Sequence, residues 1–250
     1  MQKKKIIVCD AILDEGVKLL REAEDVECIE AAKVPKDELL TMLGDVDVAI
    51  TRSSTEVGEA FLSAAKNLKA LIRAGVGVDN VDIPGASKRG IIVMNVPTAN
   101  TIAAVELTMA HLLCSARAFV NASNHLKHER KWEREKWYGV ELMGKTLGVI
   151  GFGNIGSRVS VRAKAFGMKI IAYDPYISPS KVTDLDMSYT TNLNDILKCD
   201  FITIHTPKTK ETNGMIGLSE LAKMKDGVRL INCARGGLYT EEAQIGRAHV

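Results

Sequence analysis

Cysteine is scarce in this sequence, and what there is does not pair. The five cysteines, Cys9, Cys28, Cys114, Cys199 and Cys233, are odd in number, and no two of them form a C-x-x-C. That pattern argues against a disulfide framework and a cysteine metal cluster, so no metal is expected and a reducing, cytoplasmic setting is. Long apolar runs are also missing. None approaches the roughly 18–20 residues that a bilayer-spanning helix needs, so no membrane partner is expected. The opening Met1-Gln2-Lys3-Lys4-Lys5 has the charge of a signal-peptide start, but only Ile6-Ile7-Val8-Cys9 follows before Asp10, too short for a secretory core. Neither sign of charge dominates: 33 Lys and Arg face 31 Asp and Glu, for a net charge of +2. So small an excess argues against nucleic acid or an anionic membrane as the main partner. Internal repeats and low-complexity segments are absent.

What remains is ordinary globular material. Over 250 residues, 46% are hydrophobic and 26% charged, enough apolar surface to offset chain entropy in one or two domains. Short apolar runs alternate with helix-like stretches. Strands are predicted over 5–8, 46–51, 68–73 and 91–95, and helices over 13–23 and 59–65, the pattern of βαβ units on a parallel sheet. A break follows at Val96-Pro97-Thr98-Ala99-Asn100, where Pro97 cannot donate to a ladder and Asn100 or Thr101 is suited to cap a helix. One long helix is predicted over 101–127. After a polar loop at 129–144, a second series of strands is predicted at 146–150, 168–173, 201–205 and 229–232. The expected fold class is α/β: two Rossmann-like lobes with parallel sheets, hinged near Pro97.

The sharpest local motif is Gly151-Phe152-Gly153-Asn154-Ile155-Gly156, a G-x-G-x-x-G between an apolar strand and a helix. Gly151 permits the tight turn, Gly153 lets backbone approach a pyrophosphate, and Gly156 lets helix and strand pack closely. The helix that follows turns its N–H groups and positive end to the phosphates. Such a motif alone is weak. Here the next strand ends in Asp174, 18 positions after Gly156 in the sequence, where an acid accepts hydrogen bonds from a ribose and repels a 2′-phosphate. Asp174 by itself reads equally well as a turn former before Pro175. With the glycines, NAD becomes the expected cofactor.

Two further strand ends carry arginine beside glycine: Arg73-Ala74-Gly75-Val76-Gly77-Val78-Asp79-Asn80-Val81-Asp82 and Asn232-Cys233-Ala234-Arg235-Gly236-Gly237. Ligands bind beyond the carboxyl ends of strands in open α/β sheets, and a guanidinium fork suits a carboxylate or phosphate. With these motifs, KWEREKW at 131–137, AFGMKIIAYDPYIS at 165–178 and CDFITIHTP at 199–207, the sequence resembles the D-isomer-specific 2-hydroxyacid dehydrogenases from residue 5 to about 243. The resemblance implies a catalytic lobe interrupted by a nucleotide-binding lobe, with residues 1–97 the first part of the substrate domain and 98–243 an incomplete NAD-binding Rossmann domain. It implies that Arg235 grips the substrate carboxylate and polarises the carbonyl. Arg52 and Arg73 would meet the substrate's anionic groups, Val76 and Gly77 would offer backbone nearby, and Asn100 would line the cleft. Asn154 and Ile155 would lie against the pyrophosphate, Asp174 against the ribose, and Thr206 and Cys233 along the cofactor. Arg52 with Arg73 favours a phosphorylated 2-hydroxy acid as the small-molecule substrate. An unphosphorylated 2-hydroxy acid is the alternative. A non-catalytic, nucleotide-sensing protein of the corepressor kind shares the fold.

The remaining residues receive plainer readings. His205 is expected to line a cleft, and His111, His125 and His128 to be core or surface histidines. Trp132 and Trp137 are expected to anchor an interface. The resemblance implies a homodimer or higher oligomer through 101–138, with Arg134 reaching a neighbouring site. It also implies a histidine base with a carboxylate partner beyond the 232–237 motif, and His249 does not match its context. Residues 244–250 depart from the resemblance, and the codons CAG ATC GGA AGA GCA CAC GTC, which contain the start of a short-read sequencing adapter, would encode them. They are expected to be a non-native tail on a chain that stops before the histidine base and before the segment that completes the catalytic lobe. For those two reasons residues 1–250 are expected to be poorly soluble and nearly inactive.

Overall fold

The computed structural model describes residues 3–243, so the expectations for 244–250 and His249 lie outside the described residues. The chain divides into two compact units, one ending at Asn100 and the other starting at Thr101, three residues beyond Pro97.

In the first unit, β1 (Lys4–Val8), α1 (Asp14–Glu22), β2 (Val26–Glu30), α2 (Lys36–Met42), β3 (Val48–Thr51), α3 (Glu59–Ala64), β4 (Ala70–Arg73), α4 (Ile83–Lys88) and β5 (Ile92–Asn95) follow one another. All five strands are parallel in the order β2-β1-β3-β4-β5. Ile7, Leu43, Ala49, Phe61, Leu62 and Leu71 form the core. The order matters because the chain leaves β1 to one side and returns at β3 on the other. A crevice therefore opens beyond the carboxyl ends of β1 and β3, where Asp10 and Arg52 stand.

The second unit contains α5 (Thr101–Arg117), α6 (Phe119–Glu129), β6 (Thr146–Ile150), α7 (Gly156–Ala165), β7 (Lys169–Tyr173), α8 (Ser180–Thr183), β8 (Ser188–Thr190), α9 (Leu193–Leu197), β9 (Phe201–Ile204), α10 (Leu218–Leu221) and β10 (Arg229–Asn232). Its parallel sheet runs β10-β9-β6-β7-β8. β9 is buried at every position, as the inner strands of a sheet covered on both faces must be. The switch of direction here lies between β6 and β9, which brings Gly151 and His205 side by side.

One expectation fails. The helix predicted as continuous over 101–127 is two, α5 and α6, bent by 65° at Ala118, whose φ is 48°. The cause is tertiary. The Val140 amide donates to the Ala116 carbonyl at 2.8 Å, and a Cβ on Gly139 would fall 2.3 Å from that oxygen. The returning chain takes a carbonyl that a continuing helix would use. Gly139→Ala is expected to destabilise the unit by about 1–3 kcal/mol, because the obstacle is backbone rather than a flexible side chain, and a lowered urea midpoint would show it. No single helix among the described residues is long and apolar enough to cross a membrane; only the bent pair passes by length and composition. α5 spends its apolar face inside the unit, on Val105, Met109 and Leu112.

Candidate functional site

The turn from β6 into α7 gives each glycine a distinct constraint. Gly151 has φ +86°, a conformation that L side chains rarely adopt. Its amide donates to Tyr173 O at 2.8 Å, tying the turn to β7. A Cβ on Gly156 would stand 2.0 Å from the Gly151 carbonyl oxygen, so the start of α7 rests directly on the turn. A Cβ on Gly153 would meet nothing within 4 Å. That glycine is not demanded by the protein's own packing, and its face is open. Asn154 is exposed, Ile155 packs partly buried against the core, and both lead into the first turn of α7, where N–H groups lack intrahelical carbonyls.

A cavity of about 480 Å³ opens beside this turn, lined by Gly151, Gly153, Asp174, His205, Thr206 and Tyr176 among others. That is the size of a small-molecule or cofactor pocket. Asp174 receives the Phe152 amide at 2.9 Å on one oxygen and the Tyr176 amide at 3.0 Å on the other. The carboxylate thus braces the glycine turn and still has lone pairs to offer a hydroxyl. His205 Nε2 lies 2.9 Å from Thr203 Oγ1, and burial pushes its pKa down to about 4. Its ring is therefore neutral near pH 7, a lining group too weakly basic for proton abstraction there. The Thr206 hydroxyl is buried without a protein partner. An apolar-walled cavity, an open glycine face, a helix N-terminus and an acid with lone pairs to spare together fit a dinucleotide.

Asn154, Ile155, Gly156, Cys233 and Arg235 are not among the residues lining this cavity. Cys233 packs partly buried against the core around β6. Arg235 follows β10 in a loop clamped by Asn232: its Oδ1 accepts the Ala234 and Arg235 amides at 3.0 and 3.3 Å, while its Nδ2 donates to Arg235 O at 2.8 Å. Asn232 is thus a positioning residue that the motif reading did not single out. An Asn at a strand end, free to compete for backbone groups, was its signal.

The first unit assembles a separate polar cluster at the carboxyl edge of its sheet. Asp10 accepts the Arg52 amide, the Thr55 amide at 3.3 Å and the Thr55 hydroxyl at 3.0 Å. Asn80 Nδ2 donates to Arg52 O at 2.7 Å and Thr55 O at 2.6 Å. Asp10, Thr55 and Asn80 therefore shape the loop that presents Arg52, and sequence reasoning missed all three in that role. β3 and β4 pair Thr51 with Arg73, and Arg73 Nη2 donates to Ser53 Oγ at 3.0 Å, so Arg73 and the Arg52–Ser53 loop share one edge. Val76 O accepts from Asn95 Nδ2 at 2.8 Å, with Gly77 next to it. Asn100 is exposed in the turn that ends the unit. Elsewhere, His125 is buried with Glu129 and Glu133 carboxylates 3.2 and 3.1 Å from its ring nitrogens and the Trp137 ring tilted at 59° with its centroid 5.4 Å away. It is a core histidine, whereas Trp132 is 79% exposed.

Residues 109–247 match the family model of the D-isomer specific 2-hydroxyacid dehydrogenase, NAD binding domain. The chain belongs to the D-isomer-specific 2-hydroxyacid dehydrogenases. The cofactor of that domain is NAD, in agreement with the turn and the acid described above. A D-3-phosphoglycerate dehydrogenase of Methanocaldococcus jannaschii is 45% identical over 96% of this chain and 45% of its own. A hydroxypyruvate reductase of Thermotoga maritima is also 45% identical, over 97% of this chain and 78% of its own. The crystal structure of a D-lactate dehydrogenase from Aquifex aeolicus, complexed with NAD and lactic acid, superposes with a TM-score of 0.86 at 30% identity, covering 98% of this chain and 73% of its own. The chain spans a little under half the length of the phosphoglycerate dehydrogenase it matches. Equal identity to two kinds of enzyme fixes the family and leaves the substrate to the site.

Proposed function

We propose that the protein oxidises D-3-phosphoglycerate to 3-phosphohydroxypyruvate with NAD, the first step of the phosphorylated route to L-serine. The carrying observation is the carboxyl edge of the first sheet, where Arg73 donates to the Ser53 hydroxyl of the loop that carries Arg52, and the Arg52 guanidinium lies at the same edge, donating to Ala11 O at 3.2 Å. Two guanidinium groups and a hydroxyl on one sheet edge suit a dianionic phosphate better than a methyl group. Arg235 is the catalytic residue of the reading: its fork holds the substrate carboxylate and polarises the oxygen at C2. Val76 and Gly77 offer backbone to the substrate, and Asn100 lines the site. Gly151, Gly153, Asn154, Ile155 and Gly156 hold the pyrophosphate, Asp174 the adenosine ribose, and Thr206 and Cys233 the rest of the cofactor. NAD supplies the acceptor for the hydride that leaves C2. The hydroxyl proton needs a base stronger than His205, and the family resemblance implies a histidine for it. The reading includes a cytoplasmic homo-oligomer joined through residues 101–138, supported by exposed Leu107, Phe119, Val120 and Trp132 in that region.

A hydroxypyruvate reductase is the second reading, favoured by the Thermotoga relative's equal identity. Arg52→Gln in the full-length gene product separates them. Loss of a charge-assisted contact is expected to lower kcat/KM for 3-phosphoglycerate about 10- to 100-fold while leaving turnover of unphosphorylated hydroxypyruvate nearly intact. Equal losses on both substrates would remove the phosphate contact. Failure of every 2-hydroxy acid to drive NADH formation in the wild type would favour a nucleotide-sensing protein instead.

A further inference from the structure

The cavity beside the glycine turn has a second acidic wall. Its charged lining consists of Asp174, Glu211 and Lys210, with His205 neutral for the reason given above. Asp174 stands at the end of β7 and Glu211 in the loop after β9, 37 positions later in the sequence. Tyr176 joins the two. Its amide donates to Asp174 Oδ1 at 3.0 Å, and its phenol donates to Glu211 Oε2. The carboxylate in turn raises the phenol's pKa, keeping Tyr176 protonated as a donor. Glu211 is also held from behind. Its amide reaches Thr209 Oγ1 at 3.3 Å, the Thr209 amide donates to Thr212 Oγ1 at 2.8 Å, and that hydroxyl donates to Pro207 O at 2.6 Å. A flexible surface glutamate would swing away from a ligand. This one is also exposed, but its carboxylate is directed by the Tyr176 phenol and its backbone by the Thr209 turn, and it lines the same cavity as Asp174.

We propose that Glu211, held in place by Tyr176, is a second specificity-determining carboxylate, which acts with Asp174 to exclude a phosphorylated adenosine ribose. The inference rests on placing that ribose at Asp174. A 2′-phosphate entering there brings acceptors and negative charge where Asp174 would accept from a hydroxyl, and it is repelled by a second carboxylate across the cavity. Lys210 offsets part of this field but not both charges. Tyr176 is a positioning residue: it fixes where the Glu211 charge sits and makes no selection of its own.

The test is fluorescence titration of NADH and NADPH against the full-length protein, read as Kd with no substrate present. Glu211→Gln is expected to tighten NADPH binding about five- to tenfold and to leave NADH within about twofold, the scale of one like-charge repulsion at a solvent-accessible site. Because that repulsion is screened, the gain is expected to shrink as salt is raised towards about 1 M, where the Debye length is about 3 Å. Tyr176→Phe keeps the charge but frees it, and is expected to give a smaller gain of the same sign. A merely structural role for Glu211 would weaken both nucleotides together, with no salt dependence in their ratio, and would overturn the proposal. An unchanged ratio in Glu211→Gln would overturn it too. Asp174→Asn separates the two possible failures. If it relaxes the ratio while Glu211→Gln does not, only the second carboxylate is lost; if neither relaxes it, the placement of the ribose at Asp174 fails as well.

Discussion

Arg235→Lys is expected to lower kcat/KM of the full-length enzyme by about 2–5 kcal/mol, or roughly 30- to several-thousandfold, the range found when one partner of a buried charge pair is truncated. Lysine keeps the charge. It cannot keep two parallel N–H donors in a plane, and a carboxylate held by one point is free to rotate away from the geometry that hydride transfer needs. The loop itself should survive, because Asn232 holds it through the backbone of residues 234 and 235, and the guanidinium's bond within it, to Ala234 O at 2.9 Å, is to a neighbouring residue. NAD affinity is therefore expected to stay near wild type while turnover collapses. Near-normal kcat/KM in this variant would remove Arg235 from the mechanism. Asn232→Ala is the complementary change, and it is expected to act through a raised KM as the arginine loses its fixed position.

The second large effect comes from the glycine turn, where two similar substitutions are expected to fail differently. In Gly156→Ala the new methyl would stand 2.0 Å from the Gly151 carbonyl and 3.2 Å from Val149 Cγ1. Backbone must move, so both the fold and the cofactor site suffer, with stability falling by roughly 1–3 kcal/mol and NAD binding weakened at least about tenfold. In Gly153→Ala the methyl would meet no protein atom within 4 Å. Thermal stability is expected to be unchanged, yet NAD affinity should fall just as far, because the methyl occupies the face a pyrophosphate needs. Melting curves with and without NAD distinguish the two. Equal destabilisation by both variants would mean that Gly153 serves packing and not the ligand.

Much of this was legible in the sequence, and the misses have physical causes. β6, β7, β9 and β10 were found to within a residue at each end: the first three are inner strands of a parallel sheet, continuous apolar runs closed by Gly, Asp or His, and β10 is an edge strand whose Leu230-Ile231 pair is closed by Asn232. β2 was missed because Val26–Glu30 places Glu27 and Glu30 in a half-exposed edge strand, and β8 because Ser188–Thr190 has only three residues. The bend at Ala118 carries no Gly or Pro of its own. Its cause, Gly139 and Val140, lies more than 20 residues away, and no local pattern reports such a contact. The glycine motif and Asp174 could be read because each answers a local backbone demand. Asp10, Thr55 and Asn80 could not, since they act by bonding to loops that only the folded sheet brings together. The pairing of Tyr176 with Glu211 was hidden for the same reason.

The most direct test of the account is the substrate profile of the full-length gene product with NAD, followed as NADH formation at saturating cofactor. If Arg52 and Arg73 form a phosphate site, 3-phosphoglycerate should exceed D-glycerate and D-lactate in kcat/KM by at least about a hundredfold, because charge-assisted contacts to the phosphate stabilise only the substrate that carries one. Comparable kcat/KM for the phosphorylated and unphosphorylated acids would contradict the assignment and leave a 2-hydroxyacid dehydrogenase of a different substrate.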